Sequence, residues 1–151
     1  VLKGAGLLRF GPQTITGAIN YITPDPPEDP SGHAELSAGT RGYRALHASV
    51  GGHGLLVDLG HKQGDGARDN TELEQTDLFA KYQWQVNDQH ALTFRANALR
   101  EVSEVGYSGL TDAEYRNFGV EYYPFENDLF DIEHGALSAS HAWTPREGLQ
   151  W

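Results

Sequence analysis

The chain has 151 residues and a formal net charge of −10 at pH 7, with 11 Lys and Arg against 21 Asp and Glu. Its basic residues are scattered, which excludes a nucleic-acid partner, and the absence of cysteine excludes disulfides, Cys-based zinc sites and thiol nucleophiles. Hydrophobic residues make up 38% and glycines number 18, which suits sheets with one apolar and one wet face better than a close-packed core.

The first segment, VLKGAGLLRFGPQTITGAINYITPDPP (residues 1–27), is apolar and glycine-rich and ends in a proline-rich break. Pro24, Pro26, Pro27 and Pro30 cannot continue a ladder, so a strand is expected to end there and a hinge to follow at 28–32. No apolar run approaches the ~18 residues of a membrane-spanning helix, and no signal peptide is visible. Without a methionine even at position 1, the chain reads as a piece of something longer.

Beyond the break, apolar residues recur at every second position, the period of a strand. His33–Gly39 sets Ala34, Leu36 and Ala38 against His33, Glu35 and Ser37. Tyr43–Gly51 sets Leu46, Ala48 and Val50 against His47 and Ser49, and Leu55–Lys62 sets Leu55, Val57 and Leu59 against Asp58, Gly60 and Lys62. Thr76–Val86 has the clearest pattern: Leu78, Ala80, Tyr82, Trp84 and Val86 alternate with Phe79, Lys81, Gln83 and Gln85. Ala91–Arg100 and Asp131–Trp143 complete six predicted strands. The connections Thr40–Gly42, Gly52–Gly54 and Asn87–His90 are tight, whereas Gln63–Gln75 and Glu101–Phe130 are long. The two long ones fall at the same end of the sheet, the asymmetry of an outer-membrane barrel. A soluble antiparallel sheet alternates in the same way, and Tyr82 and Trp84 suit a core as well as a membrane interface, so periodicity leaves both architectures open.

The opening segment resembles the closing motif of the plug in TonB-dependent outer-membrane receptors. The matching residues are Lys3, Gly4, Gly6, Phe10, Gly11, Gly17, Ile19, Asn20, Ile22 and Thr23. Gly11–Thr14 (GPQT), Lys62–Asn70 (KQGDGARDN), Gly109–Tyr115 (GLTDAEY) and Pro124–Glu133 (PFENDLFDIE) resemble the ferric dicitrate branch of that family. The chain departs from the family at Ala5 and Leu7, where a Pro and a Ser are usual, and at Thr16, which replaces the first glycine of a Gly-Gly pair. The resemblance implies an all-β fold: residues 1–27 end a plug domain, 28–32 form a hinge, and 33–151 supply about six strands of a roughly 22-stranded antiparallel barrel. It implies a receptor in the bacterial outer membrane that imports a ferric chelate, iron(III) dicitrate or a related siderophore. Its partners would be outer-membrane lipid and a TonB-type energy-transducing complex of the inner membrane. Iron enters only as chelated substrate, and no cofactor or resident metal is expected.

The same resemblance places Leu8–Gln13 in an apical plug loop, making Arg9, Phe10 and Gln13 candidate ligand contacts. Arginine there would suit an anionic chelate through bidentate carboxylate pairing, or would form a salt bridge within the plug. The loop carrying Tyr107, Tyr115, Arg116, Tyr122, Tyr123 and Phe125 is aromatic enough to enclose a ligand, but its carboxylates would repel a citrate-type anion. Lys81 and Arg95, on the polar faces of their strands, could steer anions inward or pair structurally. Catalysis has no visible basis: Gly4–Gly11 fits no phosphate loop, and no nucleophile elbow, triad or carboxylate pair occurs. Asp65–Glu74 has calcium-like spacing, but Ala67 sits at a ligand position, and His134 and His141, seven apart, fall on opposite strand faces. The competing function is a soluble antiparallel β-sheet domain binding carbohydrate or protein. A truncated gene would instead leave a receptor-derived piece with no function of its own.

Overall fold

A computed structural model describes residues 22–104, 109–125 and 127–145. Six strands run β1 (Ser31–Ala38), β2 (Arg44–Gly52), β3 (Leu55–Gly64), β4 (Leu73–Asn87), β5 (His90–Glu104) and β6 (Leu129–Trp143), with one short helix, α1 (Asp112–Phe118), between β5 and β6. They form a single antiparallel meander in the order β1-β2-β3-β4-β5-β6, and β1 and β6 are its two edges. All six predicted strands are present. The last four are longer than the alternation suggests, because pairing continues past it: Gly64 lies opposite Leu73, Leu73 opposite Ser103 and Glu104 opposite Leu129.

The hairpins follow from local chemistry. Arg41 and Gly42 both have positive φ (57° and 66°), as do His53 and Gly54 (53° and 83°), the two-residue geometry that matches strand twist. Between β4 and β5 the Asn87 side-chain oxygen accepts from the backbone N–H of Gln89 (2.9 Å) and His90 (3.0 Å), closing the turn.

Register sorts the side chains into two faces. On one, Val50, Val57, Ala80, Ala96 and Leu137 lie side by side across five strands, flanked by Leu59, Leu78 and Ala98 and by Leu55, Tyr82, Phe94 and Ala139. Toward the long-loop end this apolar band stops at a polar row, His61, Thr76, Arg100 and Glu133. There His61 Nδ1 and Thr76 Oγ1 are 2.8 Å apart and Arg100 pairs with Glu133. Toward the short-turn end it stops at Trp84, His90, His141 and Trp143, where the His90 and His141 rings lie parallel with nitrogens 2.9 Å apart. Nothing among the described residues covers the band: Leu36 is 80% exposed, Val50 61%, Trp84 50% and Leu137 87%.

The other face carries Glu35, His47, Asp58, Lys81, Gln83, Arg95 and Ser138. The segment preceding β1 packs on this polar face. Lys81, only 4% exposed, donates to the Pro24 carbonyl (3.1 Å) and to Asp25 Oδ1 (2.6 Å), and Gln83 donates to the same oxygen (3.0 Å). The His53 N–H donates to the Glu28 carbonyl, and Pro27 and Pro30 sit so close over Gly51 and Gly52 that a side chain at either glycine would collide with them. Of the two readings of Lys81, pairing is the one observed, and its partners are Pro24 and Asp25, ahead of the expected hinge, rather than a neighbouring strand.

The hydrogen bond and charge of Lys81, followed by the Gln83 hydrogen bond, hold the Asp25 carboxyl below the usual carboxylate range. A carboxyl lowered by folding contributes stability above its unfolded pKa and loses it as pH falls through the folded value. A spin label at Asp29→Cys is therefore expected to stay immobile at neutral pH and to become mobile only once the pH has fallen below the ordinary aspartate pKa. Asp25→Asn should weaken the attachment at neutral pH and flatten that pH dependence; an unchanged acid transition in this variant would show that Asp25 is not the group responsible.

Candidate functional site

Three connections meet at the end of the sheet beyond the polar row: the β1–β2 turn, the β3–β4 loop (residues 65–72) and the β5–β6 connection. The turn is tied to the loop through the backbone, with the Asp65 N–H donating to the Arg41 carbonyl (2.9 Å). Arg41 then bridges all three: its guanidinium donates to the Ala67 carbonyl (2.8 Å) and to Glu121 Oε1 (2.5 Å). The loop is shaped by Thr71, whose hydroxyl donates to the Arg68 carbonyl (2.6 Å) and accepts from the Arg68 N–H (3.1 Å). Its tip reaches the β5–β6 connection, where the Asp69 N–H donates to the Glu121 carbonyl (2.7 Å) and Asn70 Nδ2 to that of Tyr123 (3.4 Å).

Within the β5–β6 connection, α1 starts at a reciprocal cap: Thr111 Oγ1 accepts from the Glu114 N–H (3.3 Å) and the Glu114 carboxylate accepts from the Thr111 N–H (2.8 Å). That backbone bond first, and the Thr111 hydroxyl second, hold the Glu114 carboxyl below its ordinary value. After the helix, Phe118 stacks on Tyr122 with ring centroids 4.4 Å apart. Tyr123 is buried, its hydroxyl donating to Asp128 Oδ2 (3.2 Å), its ring edge-on to Phe125 and its face 4.9 Å from the Arg68 guanidinium. The outcome is an open cavity walled by Arg41, Arg68, Asn70, Tyr122 and Tyr123 together with Asp65, Asp69 and Glu72.

Of the candidate ligand contacts, the structure brings Tyr122 and Tyr123 to this cavity and leaves Tyr115 and Arg116 exposed on α1, outside its lining. Arg9, Phe10, Gln13 and Tyr107 lie outside the described residues, as do the plug-motif residues Gly4, Gly6, Gly11, Gly17 and Asn20. Arg41 and Arg68 were not singled out from sequence. The available signal was their place in two connections that the alternating pattern sends to the same end of the sheet. No group of three or more His, Asp or Glu able to hold a metal ion occurs among the described residues, including the calcium-like run Asp65–Glu74.

Arg41→Ala is expected to leave the strand signal in circular dichroism unchanged and to raise the hydrogen-exchange rate of the Asp69 amide about 5-fold or more, corresponding to the ~1 kcal/mol of an exposed ion pair plus a carbonyl contact. An unaltered rate would show that the loops hold together without it. Compared with family models, with curated proteins and with solved structures, the chain matches none.

Proposed function

We propose that the chain forms the first six wall strands of an outer-membrane barrel of the TonB-dependent receptor type, and that the receptor imports a ferric chelate bound at the loop end. The observation that carries this reading is the placement of the N-terminal segment. A soluble single-layer sheet gains stability by covering its apolar face, yet residues 24–30 pack on the polar face, and no described residue covers the apolar band. In a barrel this is the required arrangement: lipid covers the band, and the chain ahead of β1 enters the lumen.

The band's dimensions fit. From the polar row at Thr76 to the aromatic rim at Trp84, β4 covers about 27 Å along the strand, or roughly 20 Å across a bilayer at 40° tilt, against an apolar belt of about 25 Å in outer-membrane barrels. The band is bounded at one end by polar and charged side chains and at the other by Trp84, Trp143 and two histidines, as headgroup levels demand. The long edge strand β6 supplies a ladder on which a seventh strand would build. On this reading residues 1–27 end a plug, the partners are outer-membrane lipid and an inner-membrane energy-transducing complex, and iron is cargo.

The test is uptake. Cells carrying the intact receptor that contains this segment should accumulate radiolabelled iron presented as a chelate, and should stop when the inner-membrane proton gradient is collapsed. Accumulation equal in cells lacking the receptor, or indifferent to the gradient, would refute energised import.

A further inference from the structure

The charge balance of the loop cavity bears on which ferric chelate it takes, an inference that rests on the import reading above. Among the described residues the cavity contains two cations, and both have partners: Arg41 is bonded to Glu121 and the Ala67 carbonyl, and Arg68 lies over the Tyr123 ring. Against them stand Asp65, Asp69 and Glu72, with which no cation among the described residues pairs. Counting Glu121, four carboxylates surround two guanidinium groups among the described residues.

We propose that this site selects a ferric chelate of zero or positive net charge, whose own oxygen donors balance the charge of iron(III) and whose periphery offers ammonium or N–H groups, and that it rejects polycarboxylate chelates. A ferric citrate complex would bring further carboxylates to a wall already in anionic excess, and could gain Arg41 only by breaking its pair with Glu121, or Arg68 only by drawing its guanidinium off the Tyr123 ring. An ammonium-bearing chelate meets the opposite situation. Asp65, Asp69 and Glu72 offer it charge-assisted acceptors, and Tyr122, stacked on Phe118, offers an aromatic face that attracts a cation. The loops that resemble a citrate receptor in sequence therefore carry the wrong sign for citrate.

The test titrates the whole receptor, purified in detergent, with three probes and follows its tryptophan fluorescence. The probes are a linear ferric trihydroxamate ending in a primary amine, the same chelate N-acetylated, and ferric citrate. The amine form is expected to bind about 10-fold or more tightly than ferric citrate, with the acetylated form between them. Raising ionic strength should weaken the amine form and not the acetylated one. Asp69→Asn with Glu72→Gln should lower affinity for the amine form and raise that for citrate. Tighter binding of ferric citrate than of either hydroxamate overturns the charge assignment while leaving ferric-chelate import standing. Failure of all three to bind a correctly inserted receptor overturns both.

Discussion

Ala80→Arg is expected to abolish stable membrane insertion, whereas Ser140→Arg is expected to be tolerated. Ala80 sits in the middle of the apolar band, opposite Val57 on β3 and Ala96 on β5. Within a bilayer, an arginine near the midplane of a barrel's lipid face costs about 2–4 kcal/mol, a shift of roughly 30- to 700-fold in the insertion equilibrium. Ser140 lies on the polar face of β6 opposite Thr93, which in the proposed barrel faces a hydrated lumen. The check is the fraction of each variant that becomes protease-resistant in lipid vesicles. Equal insertion of the two would place the band away from lipid. Equal loss would mean that the two faces of β4 to β6 do not differ in environment.

Gly66→Ala should have the largest effect on binding. Gly66 has φ +75°, and a Cβ there would run into the carbonyl and hydroxyl oxygens of Thr71, the residue that closes the loop. The left-handed conformation alone costs an L-residue about 1–2 kcal/mol, and the backbone carbonyl of Thr71 cannot rotate away as a flexible side chain would. The β3–β4 loop must therefore open, and with it go the Arg41 contact to Ala67 and the Asp69 bond to Glu121. The expected result is a loss of chelate binding of more than about 10-fold with full strand content by circular dichroism. Retained binding would show that the loop's closed form is not what the ligand meets. A loss of strand content would show that the loop supports the wall itself.

The strands were legible because period two is imposed by the pleat, although β6 keeps it only from Leu137 on, its Phe130, Ile132 and Ala136 falling on the polar face. Leu78, Ala80, Tyr82 and Trp84 on β4 and Leu92, Phe94, Ala96 and Ala98 on β5 do lie together on one face. Their length was not fully legible. β4 and β5 run on through Leu73–Gln75 and Glu101–Glu104, where pairing with a neighbour, rather than alternation within the segment, makes the strand. The helix α1 lies within a stretch expected to be loop, although Thr111 and Glu114 carry the spacing of a reciprocal cap and could have announced it. Arg41 was hidden for a different reason. A lone arginine in a tight turn has no pattern of its own, and its importance comes from residues 25 to 80 positions away that only the folded sheet brings to it. The same holds for Lys81, whose partner Asp25 lies across the break from the strands.

The central claim is that one face of this sheet contacts lipid and the other water, and spin labels along β4 test it directly. Single nitroxides placed at positions 77–84 of the receptor in vesicles are scanned for collision with oxygen, which partitions into lipid, and with a water-soluble nickel chelate. The expected result is two period-two profiles in opposite phase: oxygen maxima at Leu78, Ala80, Tyr82 and Trp84, and nickel maxima at Asp77, Phe79, Lys81 and Gln83, damped at Lys81 where Pro24 and Asp25 cover the wall. Low accessibility to both reagents at Leu78, Ala80, Tyr82 and Trp84 would mean that another protein layer covers the band, and the membrane wall would have to be abandoned for a soluble sheet.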